Sequence, residues 1–331
     1  MTANELIALL GLAWSRLLLY PGGLAAFAAV WLLAAFQADL PGSHLPAASP
    51  AVVGAEVETA QNAGRPASQP WFLILGALVP PWLGLALLPL PPAPGLSRQV
   101  DIVVALALLE CPRVLAIGAD LRGGGPRRRA GARRLAAALN GYPPLLLATL
   151  VLAQAAGTLD VAALARVPGE LAPPFAIRLH WIGVAGWLLA LPSLLGIGPF
   201  RAAWLPTSPA PQKRESLRAN LRARMAGAAR VLAGDPLRAG LGLRALGLLL
   251  LSALPWMAAL GALEEGGLRA ARGAAGWLLA PPLIAALAWG YDRLTASRPA
   301  RDWARLYLAL DAALLLALLW AAYQALLGRL A

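Results

Sequence analysis

The chain has 331 residues, of which 59% are hydrophobic and only 13% charged. With a mean hydropathy of +0.65 it is too apolar for a soluble domain, where about 25% of residues carry charge. Its net charge of +12 does not point to nucleic acid, because the basic residues fall between apolar runs with no aromatic-basic face. The single Cys111 excludes an internal disulfide, and His44 and His180 are too few for a His-rich metal or haem site.

Apolar runs of roughly 18 or more residues are candidate spans, since about 20 helical residues cross the ~30 Å hydrocarbon layer. Eight such runs predict an all-α, polytopic membrane protein whose residues 1–331 form a single membrane domain. Residues 1–16 lack the Lys/Arg-rich start and small-residue cleavage site of a signal peptide. The first span covers 17–36. Residues 37–70, rich in Pro, Ala, Ser and Gly, read as an irregular loop. The second span, 71–90, contains Pro80 and Pro81. The third, 101–119, carries Glu110 and Arg113.

A run of six arginines follows: Arg122, Arg127, Arg128, Arg129, Arg133 and Arg134. Then come the fourth span, 143–159, which opens on Pro143 and Pro144, and the fifth, 179–196. Residues 197–239 form the longest basic loop. Within it, Leu217, Leu221, Met225, Ala228 and Val231 recur at spacings of three to four, with Arg218 and Arg222 among the basic residues on the other faces. That pattern predicts a basic amphipathic helix, lying either on the membrane surface or on a partner subunit. The remaining spans are 240–261, 274–290 and 306–327.

Lys and Arg number 19 in the loops after spans 1, 3, 5 and 7, against 5 in the loops after spans 2, 4 and 6. Positively charged loops stay cytoplasmic. The odd-numbered loops are therefore expected in the cytoplasm, with both termini outside the inner membrane. The six arginines and Arg218 and Arg222 are then candidates for lipid contact or partner docking.

An ionisable side chain inside a span is a functional hypothesis by default. Glu110 and Arg113 stand three apart and share a helix face. They read either as a structural intramembrane pair or as part of a proton or substrate path. His180 is expected at the interface, beside Arg178 and Trp181, and Asp311 near the cytoplasmic end of span eight. No catalytic constellation, phosphate-binding loop or metal-ligand cluster is present in the sequence. No catalytic, metal-binding or direct cofactor-binding residue is therefore assigned.

The stretch "RVLAIGADLRGGGPRRRAGARRLAAALNGYPPLLLATLVLAQAAGTLDVAALA" resembles the membrane-anchor subunit shared by proton-pumping NADH:quinone oxidoreductase and the membrane-bound hydrogenases, including formate hydrogenlyase. Arg113, Gly124, Gly131, Ala132, Arg134, Pro144 and Ala156-Gly157-Thr158 fall where the hydrogenase branch carries an Arg, the Gly of D-T-G, G-A-S-R-E, E-P and A-G-T. The resemblance covers about 55 residues. It implies eight core spans and an outward N-terminus. It also implies peripheral partners (an iron–sulfur small subunit and a large subunit), other membrane subunits, and quinone as the small molecule the complex would meet.

Three departures stand out. Arg122 occupies the place of the family's Asp, Pro143 that of its Glu, and the acidic stretch after span five reads "GIGPFRAAWLPTSPAPQKRES". The expectation is a divergent anchor, non-catalytic by itself, that docks a redox module on basic cytoplasmic loops. The rival expectation is a small-molecule transporter.

Overall fold

In a computed structural model of the protein, the described residues are 71–89, 100–122, 125–169, 172–196, 236–259 and 300–330. They fold into helices: α1 (Trp71–Leu87), α2 (Ile102–Arg122), α3 (Gly125–Ala156), the short α4 (Val161–Ala165), α5 (Pro174–Leu195), α6 (Pro236–Ala259) and α7 (Ala300–Leu330). No strand occurs among them, and Asp101 and Asp160 form an isolated bridge. Segments within α2, α3, α5, α6 and α7 are long and apolar enough to cross a membrane. Leu75–Leu87 in α1 is apolar but shorter. The expected spans 17–36 and 274–290, the irregular loop 37–70 and the basic amphipathic segment with Arg218 and Arg222 lie outside the described residues.

One helix is longer than the apolar pattern alone indicates. The apolar pattern starts the fourth span at 143, yet α3 begins at Gly125 and takes in Arg127, Arg128, Arg129, Arg133 and Arg134. Arg and Ala are strong helix formers, so the arginine run starts a helix rather than filling a loop. Pro143 and Pro144 lie inside that helix instead of opening it.

Neighbouring helices approach through small residues. A Cβ on Gly240 of α6 would fall against the carbonyl oxygen of Ala77 in α1, well inside contact distance. One on Gly131 of α3 would lie 2.9 Å from the Asp120 Cβ and 3.0 Å from the Leu121 nitrogen. Between apolar helices in lipid there is little hydrophobic drive, so such close approach supplies the packing. The core gathers Leu109, Leu145, Leu152, Leu179, Leu194 and Leu243 from four helices. α7 is peripheral, with Leu308, Leu316 and Leu319 about two-thirds exposed.

Side-chain contacts fix helix directions. Leu194, at the end of α5, meets Arg244, in the first half of α6, while Trp181, in the first half of α5, packs against Trp256 near the end of α6. α5 and α6 are therefore antiparallel. α7 also runs against α5: Tyr307 donates to the Leu189 carbonyl and Phe175 meets Trp320 edge-on. Hence α6 and α7 point the same way. Ala259, the last residue of α6, and Ala300, the first of α7, therefore lie at opposite ends of the bundle.

Two outcomes follow. A topology reporter fused after Ala259 and another fused after Arg305 are expected on opposite sides of the membrane; reports from one side would refute the parallel arrangement. Gly240→Ala is expected to cost about 1–3 kcal/mol through overpacking, read as a lower unfolding temperature in detergent. Gly118→Ala, where a Cβ meets nothing within 4 Å, should leave that temperature unchanged or raised.

Candidate functional site

Glu110 lies on α2 about 12 Å along the helix from Ile102, taking about 1.5 Å per residue, and is 8% exposed. A bare carboxylate at that depth costs several kcal/mol, so its partners decide what it does. The strongest is Arg244 on α6, 3% exposed. Its Nε donates to Glu110 Oε2 at 2.8 Å, and Nη2 donates to Oε1 at 2.7 Å. This is the two-pronged pairing that a planar guanidinium makes with a carboxylate. The third arm, Nη1, donates to the Leu194 carbonyl of α5 at 3.1 Å. Tyr142 of α3 adds its hydroxyl proton to Glu110 Oε2 at 2.5 Å.

Arg113, fully buried, brings Nη1 to 4.0 Å from the same oxygen and sets its guanidinium 5.2 Å from the centre of the Tyr142 ring, within cation–π range. Three helices thus meet on one carboxylate, and α5 joins them through Arg244. Among the described residues the cluster holds two guanidiniums against one carboxylate.

The expected pairing of Glu110 with Arg113 is present as the longer contact; the two-pronged one belongs to Arg244. The sequence reading missed Arg244, although an arginine inside a span with no carboxylate on its own helix signals a partner elsewhere. It also missed Tyr142. The other intramembrane candidates do not join the cluster. His180, expected at the interface, is fully buried; both ring nitrogens lack a hydrogen-bond partner, and the ring stacks edge-on against Trp181. Asp311 has one buried carboxylate oxygen without a partner. No group of three His, Cys, Asp or Glu residues able to hold a metal occurs among the described residues.

The arginine run divides. Arg134, 7% exposed, is turned inward and bonds Asp120 on α2. Arg122, Arg128, Arg129 and Arg133 are exposed. The inward turn is local geometry: Gly131, which lacks a Cβ, lets α3 press onto the Asp120–Leu121 backbone, and this brings Arg134 against Asp120.

The opposite end of the bundle is pinned by Asp160. Its carboxylate accepts from the Val100 nitrogen at 2.8 Å and from the Ala163 nitrogen at 3.1 Å, capping α4 as side-chain acceptors do. Gly157, at φ 69°, takes the left-handed conformation just after the last residue of α3. The Thr158 hydroxyl accepts from the Asp160 nitrogen at 3.2 Å.

No protein-family model matches the chain, and none of the curated proteins matches it.

The cluster generates a double-mutant prediction. Glu110→Gln and Arg244→Leu should each destabilise by about 3–5 kcal/mol, the usual cost of orphaning one member of a buried pair. The double variant should recover much of that loss, as followed by thermal unfolding in detergent. Arg113→Leu should cost less than Arg244→Leu; the reverse order would make the contact within α2 the dominant one.

Proposed function

We propose that the chain is a divergent membrane-anchor subunit of a respiratory complex related to proton-pumping NADH:quinone oxidoreductase or the membrane-bound hydrogenases. One observation carries this reading. The described residues that bear the resemblance are largely those with a geometric reason for their identity. Arg113 belongs to the buried cluster, Gly131 admits a helix contact that a side chain would block, and Arg134 makes an inter-helix ion pair. Gly157 holds a positive φ, and the Thr158 hydroxyl ties the turn that follows.

In this reading the arginine-rich end of the bundle faces the cytoplasm and both termini lie outside the inner membrane. Arg122, with the basic segment containing Arg218 and Arg222, receives an iron–sulfur small subunit and a large subunit. The chain is not an enzyme alone. Arg122 and Pro143 stand where the family has carboxylates, which supports a copy that keeps the scaffold while quinone and proton chemistry belong to the assembled complex.

The test is purification of the tagged protein from its native membranes. The expected result is a stoichiometric complex containing iron and acid-labile sulfide, with electron-paramagnetic-resonance signals of reduced iron–sulfur clusters. Arg122→Gln combined with Arg218→Gln and Arg222→Gln should detach that module and leave the membrane subunit folded. A protein that purifies alone, without iron, would overturn the reading.

A second reading, a small-molecule transporter, draws on Glu110. A mid-span carboxylate held by arginines from two helices has the makings of an exchangeable pair. Solute uptake into liposomes containing the chain by itself would favour it.

A further inference from the structure

We infer that the exposed side of α3 is a binding site for an anionic phospholipid, whose phosphate is held by Arg128, Arg129 and Arg133 and whose acyl chain lies along Ala132, Leu135 and Leu139. The inference rests on the membrane reading of the chain and is independent of the respiratory one.

Two properties of that side point to this ligand. The first is charge. Arg128, Arg129 and Arg133 are all exposed and stand within the first three turns of a helix beginning at Gly125. That end of a helix carries partial positive charge and favours anions. Arg129 and Arg133, four apart, add like-charge repulsion on one face. Arg134, the arginine that turns inward, has Asp120. Arg128, Arg129 and Arg133, exposed on α3, make an electropositive collar suited to an anion.

The second property is what lies below the collar. Ala132 is exposed, and Leu135, Leu139, Leu146 and Leu150 are 40–61% exposed, all on the side opposite the buried Arg134, Ala137, Gly141 and Leu145. From Arg129 to Leu139 is about 15 Å of helix at about 1.5 Å per residue, roughly one leaflet of the ~30 Å hydrocarbon layer. A free phosphate would use only the arginines, and a soluble acidic protein would not follow the leucines into hydrocarbon. A phospholipid uses both.

The test uses the full chain purified in detergent, with thermal unfolding measured against added phosphatidylglycerol, phosphatidylcholine of the same acyl chains, and glycerol phosphate. Phosphatidylglycerol should raise the unfolding temperature, and the other two should not. A basic residue at an anionic surface contributes about fivefold in binding, so Arg128→Gln/Arg129→Gln/Arg133→Gln should lower the phosphatidylglycerol affinity about a hundredfold. The helix content by circular dichroism should stay unchanged. Leu135→Gln/Leu139→Gln should also weaken phosphatidylglycerol binding.

Several results would overturn the site. Equal stabilisation by phosphatidylcholine would mean plain solvation by lipid. Stabilisation by glycerol phosphate alone would mean a small-anion site. Phosphatidylglycerol binding that is unchanged in the triple variant would remove the arginines from it. If phosphatidylglycerol has no effect on the parent while the triple variant loses a co-purifying protein, the collar is a protein-docking surface instead.

Discussion

A carboxylate inside a helix bundle has to be neutralised where it stands, and the arrangement of helices around Glu110 answers that demand. The two-pronged bond to Arg244 fixes the distance between α2 and α6. It also fixes rotation, since a planar guanidinium meets a planar carboxylate in few orientations. The third arm of Arg244 reaches α5 through the Leu194 carbonyl, and Tyr142 commits α3. A pair of helices held by apolar contacts alone can slide. Four helices converging on one ion pair cannot do so without exposing a charge to hydrocarbon.

The two ends of the bundle use weaker constraints consistent with that centre. At one, Arg134 and Asp120 close the α2–α3 corner over Gly131. At the other, Asp160 ties the start of α2 to the turn after α3: the Ile102 nitrogen donates to the Leu159 carbonyl at 3.0 Å and the Val161 nitrogen to the Val100 carbonyl at 2.8 Å. α2 and α3 are therefore tied at the top, the middle and the bottom by polar groups, and glycine contacts bring other helices close. α7, which Tyr307 ties to α5 through its hydroxyl, presents most of its leucines outward.

Among the described residues, the all-helical character and five apolar helices of membrane-spanning length were legible in the sequence, because an apolar run of that length is a strong local signal. The start of α3 was not. Its first turns are polar, and glycines beside arginines look like a loop when burial is unknown. The site was half legible. Three-residue spacing places Glu110 and Arg113 together without any knowledge of the fold, and 4.0 Å separates their nearest charged atoms. Arg244 is 134 residues away in sequence, so its meeting with Glu110 is a product of helix packing and no local pattern encodes it. Arg134 shows the converse: the six arginines between 122 and 134 look equivalent in the sequence, and the fold turns Arg134 inward while Arg122, Arg128, Arg129 and Arg133 stay exposed.

The distance in sequence between Glu110 and Arg244 also has a meaning in time. Chains grow at about 5–20 residues per second. Arg244 therefore emerges roughly 7–27 s after Glu110, given the 134 residues between them. During that interval α2 holds a carboxylate whose main partner does not yet exist. Arg113, made within a second of Glu110 at those speeds, is the counter-charge on hand while α2 enters the membrane. Tyr142, 32 residues later, arrives next. The longer contact is thus the one whose two residues are made first, and the two-pronged one waits until α6 has been synthesised.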